Sequence, residues 1–203
     1  MSRFSEAISE GDGIPIVPLL ESDAGALAAL AEKAGAEAVG VRAADVGPAR
    51  ALTGLPILAR DGNPETVARD GADAVVVRYE DASDADRLVT LYDVAYELGL
   101  DFVVDVREEE VLEEVLERID PQILLISERG LDDDQEDLEL TLDLLADVPA
   151  GKLVVSEARI VTHDQVLALE RAGVDAILVH GLAGAANFGA VLEELVHGPE
   201  AGL

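Results

Sequence analysis

The chain has 203 residues, 49% of them hydrophobic, and a positive mean hydropathy, which is enough apolar material for one well-buried domain and too little length for two large ones. Forty-three Asp and Glu against fourteen Lys and Arg leave a formal charge of -29, which repels phosphate backbones and anionic lipid, so nucleic acid and membrane are excluded as partners. The absence of cysteine removes disulfides, thiol nucleophiles and cysteine-ligated metal or iron–sulfur sites together.

Met1 to Gly13 carries no basic segment followed by an apolar one, so these residues are read as an N-terminal tail and the protein is expected to be cytoplasmic. Strands are predicted near 14–20, 36–42, 56–60, 73–79, 101–107, 122–128, 152–158 and 175–181. Helical periodicity falls between them, over 23–34, 64–70, 84–98, 108–118, 135–146, 163–172 and 188–196, with a short or irregular link over 44–53. Asp84, Thr162 and Asn187 are the expected N-caps of their helices, and 198–203 reads as a C-terminal tail.

One unit recurs. Ala34-Gly35-Ala36-Glu37-Ala38-Val39, Asp70-Gly71-Ala72-Asp73-Ala74-Val75 and Ala172-Gly173-Val174-Asp175-Ala176-Ile177 share a helix end, a glycine and a β-branched run, and Leu98-Gly99-Leu100-Asp101-Phe102-Val103 is a looser copy. Strands apolar almost throughout, such as Ile123-Leu124-Leu125-Ile126, imply burial on both faces and a parallel sheet. Strand and helix in alternation predict an α/β fold, a compact (β/α)8 TIM barrel over 1–203 as a single domain. The competing doubly wound sheet lacks its glycine-rich dinucleotide turn.

In such a barrel the site lies where strands end. Six of the twelve arginines, Arg42, Arg60, Arg78, Arg107, Arg129 and Arg159, stand at the ends of the second to seventh predicted strands. Guanidinium groups hold carboxylate and phosphate through paired hydrogen bonds, so the expected partner is a small anionic metabolite. Period-two alternation gives Leu58 and Arg60, Asp105 and Arg107, Ser127 and Arg129, and Glu157 and Arg159 common parity, each pair able to face the mouth. The opposing expectation is that these arginines pair with Glu80, Glu108, Glu128 or Glu157 and close the barrel without a ligand. His180 ends the eighth strand as a general acid or base or as a hydrogen-bonded core residue, whereas His163 and His197 carry no functional expectation. No His and carboxylate triplet has metal-ligand spacing and no cofactor motif is present, so neither metal nor cofactor is expected. The run Asp132-Asp133-Asp134-Gln135-Glu136-Asp137 lacks the calcium-loop pattern and reads as a solvated loop.

Ile123-Leu124-Leu125-Ile126-Ser127-Glu128-Arg129-Gly130-Leu131, Leu153-Val154-Val155-Ser156-Glu157-Ala158-Arg159-Ile160 and Ala172-Gly173-Val174-Asp175-Ala176-Ile177-Leu178-Val179 resemble, in order and spacing, the C-terminal half of indole-3-glycerol phosphate synthases. These are tryptophan-pathway barrels that close the indole ring with loss of carbon dioxide and water. The resemblance is motif-specific from Gln122 to Val196, and the family's helical N-terminal extension finds no room before Ile14. It places the family's strand-seven glutamate on Glu157, its strand-six arginine on Arg129 and its strand-five glutamate on a shortened Asp105. The strand-one Glu-x-Lys pair falls on Pro18 and Leu20, the strand-three lysine on Arg60 and the strand-six asparagine on Ser127. Arginine does not release a proton near neutral pH, so Arg60 binds anions but cannot act as the acid. The family's phosphate-binding Ser-Gly reads Ala158-Arg159 and its strand-eight glycine reads His180, with Gly181, Gly184 and Asn187 able to rebuild an anion site nearby.

The expected function is therefore a diverged relative binding a phosphorylated or carboxylated metabolite, with Arg60, Arg107, Arg129, Arg159, Ser127, Gly181 and Gly184 as binding residues. Glu157, Asp105 and His180 are the proton carriers if it catalyses, as a carbon–carbon lyase or isomerase of the phosphate-binding barrels. The alternatives are a non-catalytic barrel that senses a ligand or binds a protein, and a retained synthase. The acidic, lysine-poor surface also resembles cytoplasmic proteins of extreme halophiles, a reading that expects stability to fall as KCl is removed.

Overall fold

In a computed structural model, which describes residues 2–10, 13–79, 85–127 and 139–198, eight parallel strands close into a barrel in chain order. They are β1 (Ile16–Leu20), β2 (Val39–Val41), β3 (Ile57–Ala59), β4 (Ala74–Arg78), β5 (Asp101–Val106), β6 (Ile123–Ser127), β7 (Leu153–Ala158) and β8 (Ala176–Val179). Each forms where predicted and is somewhat shorter than its expected span. Around them lie α1 (Arg3–Ser9), α2 (Ala24–Lys33), α3 (Val46–Arg50), α4 (Pro64–Asp70), α5 (Ala85–Glu97), α6 (Glu109–Arg118), α7 (Glu139–Leu145), α8 (His163–Ala172) and α9 (Phe188–His197). The irregular link is a 3-10 turn at Ala43–Asp45 followed by α3. Among the described residues no helix is long and apolar enough to cross a membrane.

The repeat has a mechanical reason. Gly71 and Gly173 end α4 and α8 at φ of 99° and 98°, a conformation in which a Cβ is strained. Two residues later, Asp73 and Asp175 accept the backbone N–H of Ile57 at 2.8 Å and of Val154 at 2.7 Å, tying each strand to the start of the one before it. Thr162 caps α8 through a reciprocal pair with Gln165, as expected. Asn187 does not cap α9: its backbone lies at φ -120° and ψ 45°, outside the extended region an N-cap uses, and its side chain makes no cap bond. Asp84 and the run Asp132–Asp137 lie outside the described residues.

Alternation sorts the strand residues into two clusters. Val17, Leu19, Leu58, Val76, Val103, Leu125, Val155 and Leu178 fill the barrel interior, while Ile16, Leu20, Val41, Val75, Val104, Ile126, Val154 and Val179 pack outward among the helices. Gly40 belongs inside, since a Cβ there would lie 2.7 Å from Leu178 Cδ1.

Residues 1–13, expected as a tail, are helical over Arg3–Ser9. Phe4 and Ile8, 0% and 2% exposed, join the interior cluster and plug the bottom of the barrel. Asp101 holds the plug: its Oδ2 accepts the Ser5 backbone N–H at 2.7 Å and the Ser2 hydroxyl, while Ser2 caps the helix. A seven-residue segment has too little length to show helical periodicity, and only the cavity beneath the sheet selects its apolar face.

Candidate functional site at the barrel mouth

The inward row that is apolar through the middle of the barrel turns polar at the strand ends. Arg60 follows Leu58, Asp105 follows Val103, Ser127 follows Leu125 and Glu157 follows Val155 in that row, so the parity read from the sequence holds. All four are buried. The Arg60 Nε donates to Glu157 Oε2 at 2.8 Å, and its Nη2 donates to Asp105 Oδ2 at 2.9 Å and lies 2.6 Å from Glu157 Oε2. Arg107 Nη2 sits 3.5 Å from both Asp105 Oδ2 and Ser127 Oγ. The mouth is thus floored by a charged triad, Asp105–Arg60–Glu157, with Arg107 at its edge.

Burial by itself would lower the Arg60 pKa, and Glu157 and Asp105 more than offset it, so the guanidinium stays charged. For Asp105 burial wins: desolvation pushes its carboxyl above the usual range against the pull of Arg60 and Arg107. Three polar atoms of the cluster, Arg60 Nη1, Asp105 Oδ1 and Arg107 Nε, are buried with no hydrogen-bond partner among the described residues.

Several expectations change here. Arg60 was expected to offer free charge to a ligand; its charge is already matched by two carboxylates, because the closed sheet brings β3, β5 and β7 together over one interior. The expected pairing of rim arginines with carboxylates holds in part: Arg60 pairs with Glu157, one of the partners named, and otherwise the described contacts are Arg60 and Arg107 with Asp105 and Arg42 with Asp45 at 2.8 Å, while Glu80 and Glu128 lie outside the described residues. Arg78 and Arg159 are exposed at the ends of β4 and β7, and His180 is half-buried after β8. Gly181, at φ 81°, and Gly184 are exposed in the link to α9. Arg129, with Glu128, lies outside the described residues. His163 and His197 line a cavity of about 430 Å3 at the opposite, N-terminal end of the barrel, where His163 Nδ1 lies 2.8 Å from the Leu195 carbonyl oxygen.

A cleft of about 530 Å3 opens beside the triad, lined by Arg60, Asp61, Asn63, Arg78, Arg87 and Leu91 among others. Arg87 is not among the strand-end arginines, because it stands on α5. Its spacing of nine residues from Arg78 along the chain carries no recognisable motif.

Residues 65–195 match the sequence pattern of the family described as Indole-3-glycerol phosphate synthase. The chain belongs to the indole-3-glycerol phosphate synthase family. It is 34% identical over 168 residues to the indole-3-glycerol phosphate synthase of Geobacillus sp. (strain WCH70), a match covering 76% of this chain and 65% of that protein. With the enzyme of the same name from Shouchella clausii (strain KSM-K16) it shares 32% identity over 168 residues, covering 76% of this chain and 66% of that one. The matched stretch therefore spans just under two thirds of these relatives' length. Among solved structures, thiamine phosphate pyrophosphorylase from Pyrococcus furiosus superimposes with a TM-score of 0.72 at 19% identity, over 90% of this chain and 94% of that one, a likeness of fold.

Glu157 and Asp105, onto which the resemblance carries the family's strand-seven and strand-five glutamates, both face the mouth. The strand-one pair does not fit where the resemblance placed it. Leu20 packs in the outer cluster, and Pro18 shares its parity; the inward positions of β1 are Val17, Leu19 and then Glu21. A family carboxylate or lysine acting at the mouth would have to come from that inward set, and Glu21, half-buried at its end, is the polar member.

Proposed function

We propose that this family member binds a small phosphorylated or carboxylated metabolite over the barrel mouth, and that its chemistry departs from indole-ring closure. The observation that carries this reading is the buried Asp105–Arg60–Glu157 triad. A lysine in the Arg60 place would give up a proton; a guanidinium held by two carboxylates does not, and it also engages the two groups to which the resemblance gives proton transfer. What the triad supplies is a rigid, preorganised charge floor beneath an anionic ligand, with Asp105, held above the usual carboxyl range, as the group able to take or give a proton. Arg107, Arg129, Arg159, Ser127, Gly181 and Gly184 remain the proposed ligand contacts around it.

Family membership at 34% identity favours one second reading, retained ring closure. It requires a proton donor other than Arg60, and Asp105 is the residue that fits. Complementation of a tryptophan auxotroph separates the two. We expect no growth, together with a rise in melting temperature with sugar phosphates beyond that with KCl of equal ionic strength. Growth would establish the synthase reading instead, and the absence of any anion-specific shift would remove ligand binding at the mouth.

A further inference from the structure

We propose that the cleft between the β3–α4 link, β4 and the start of α5 is an oxyanion subsite, in which Arg78 and Arg87 hold a carboxylate or phosphate group of the ligand. The inference rests on the reading that the mouth takes an anionic metabolite, and assigns the charge to one quarter of it.

Cations are scarce in this chain, fourteen against forty-three acids, so an arginine with no acidic partner needs a reason. Among the described residues, Arg3, Arg42, Arg50, Arg60, Arg107 and Arg118 are ion-paired. Arg69 and Arg171 stand in the last turns of α4 and α8, where the negative end of the helix dipole accounts for them. Arg78, Arg87 and Arg159 have neither explanation, and two of these three line one cleft.

Arg87 is the more informative. It is the third residue of α5, at the positive end of that helix, where a cation is disfavoured by the dipole and an anion is favoured. An oxyanion between Arg87 and Arg78 would reverse that penalty. Arg78 reaches the same space from the last position of β4, on the inward parity of Val76. The cleft volume of about 530 Å3 suits a small metabolite, and Leu91 gives it an apolar wall.

The third wall is Arg60, only 4% exposed, whose Nε and Nη2 are used on carboxylates while Nη1 has no partner among the described residues. A buried guanidinium N–H without an acceptor is a costly feature in a protein without ligand, and an oxyanion entering the cleft brings acceptors to that wall. Charge balance agrees. Asp105 and Glu157 offset Arg60 and Arg107, so the lining charge left over is that of Arg78 and Arg87 against Asp61, whose Oδ1 already accepts the Ala43 N–H at 2.7 Å.

The test uses inorganic phosphate as probe, titrated by calorimetry at constant ionic strength against the full chain, the double variant Arg78→Gln/Arg87→Gln and Arg159→Gln. Both altered positions of the double variant are exposed, so its ligand-free melting temperature should match wild type, which verifies folding. We expect phosphate affinity to fall at least about tenfold in the double variant. Wild-type affinity there overturns the subsite. If that result comes with lost affinity in Arg159→Gln, the anion belongs at the β7 side and the proposed function survives. If wild type binds neither phosphate nor any sugar phosphate, both proposals fall.

Discussion

At the bottom of the barrel the inward row meets Phe4 and Ile8, which close the interior with apolar side chains. At the mouth the same row ends in Arg60, Asp105, Ser127 and Glu157, equally dry but charged or polar. Burial of the plug removes apolar surface from water and stabilises the fold outright. Burial of the triad desolvates three ions, a penalty that their mutual contacts only offset, so apolar residues of similar volume would serve stability as well or better. A fold that keeps the costly arrangement at one end and the favourable one at the other has divided its labour: the N-terminal face holds the barrel together, and the C-terminal face is shaped by something other than stability.

The strongest way to break this contrast is Arg60→Ala. Two buried carboxylates lose their counter-charge, and urea denaturation should show a loss of about 3–5 kcal/mol. The triple replacement Arg60→Met, Asp105→Leu and Glu157→Leu should instead stay near wild-type stability or exceed it while abolishing anion binding. A mild effect of the single change would mean that water reaches the triad. Phe4→Ala comes next, with an expected loss of about 3 kcal/mol from the cavity left under the barrel and no change in phosphate affinity. Asp101→Asn removes a charged acceptor from the Ser5 N–H and the Ser2 hydroxyl, and should cost about 2 kcal/mol and speed proteolysis before Ile14. If either bottom-face change altered phosphate affinity, the two ends would be coupled and the division would fail.

These regions also differ in how far they could be read in advance. The strands and the glycine stops at Gly71 and Gly173 were legible because each is a local rule of periodicity or backbone conformation. The inward parity of Asp105 and Glu157 followed from alternation alone. The triad was legible only in that a rim arginine could meet Glu157: Arg60 lies 45 residues from Asp105 and 97 from Glu157, and no local pattern sets which strand ends meet across a closed sheet. The plug was missed for a related reason, since α1 is only seven residues long and owes its burial to the barrel rather than to its own sequence. The family's strand-one pair, carried onto Pro18 and Leu20, falls one residue out of phase with the inward row, because the near-continuous apolar run of β1, buried on both faces, hides parity that polar residues reveal in β5 and β7.

The finest test of the contrast is the sign of a pH effect at Asp105, where burial and two guanidiniums oppose each other. With burial dominant, the folded chain keeps the Asp105 proton at pH values where the unfolded chain has released it. The stability this group contributes is therefore fully present below the ordinary aspartate range and is lost as pH rises through the higher folded value. Asn at this position does not titrate, and the remaining carboxylates largely cancel in the difference between wild type and Asp105→Asn. Stability measured from pH 7 downward should thus show wild type gaining on the variant as acid is added. The reverse trend, wild type losing ground, would mean that Arg60 and Arg107 outweigh desolvation. The mouth would then be a net stabilising ion cluster, and its charge would need no ligand to explain it.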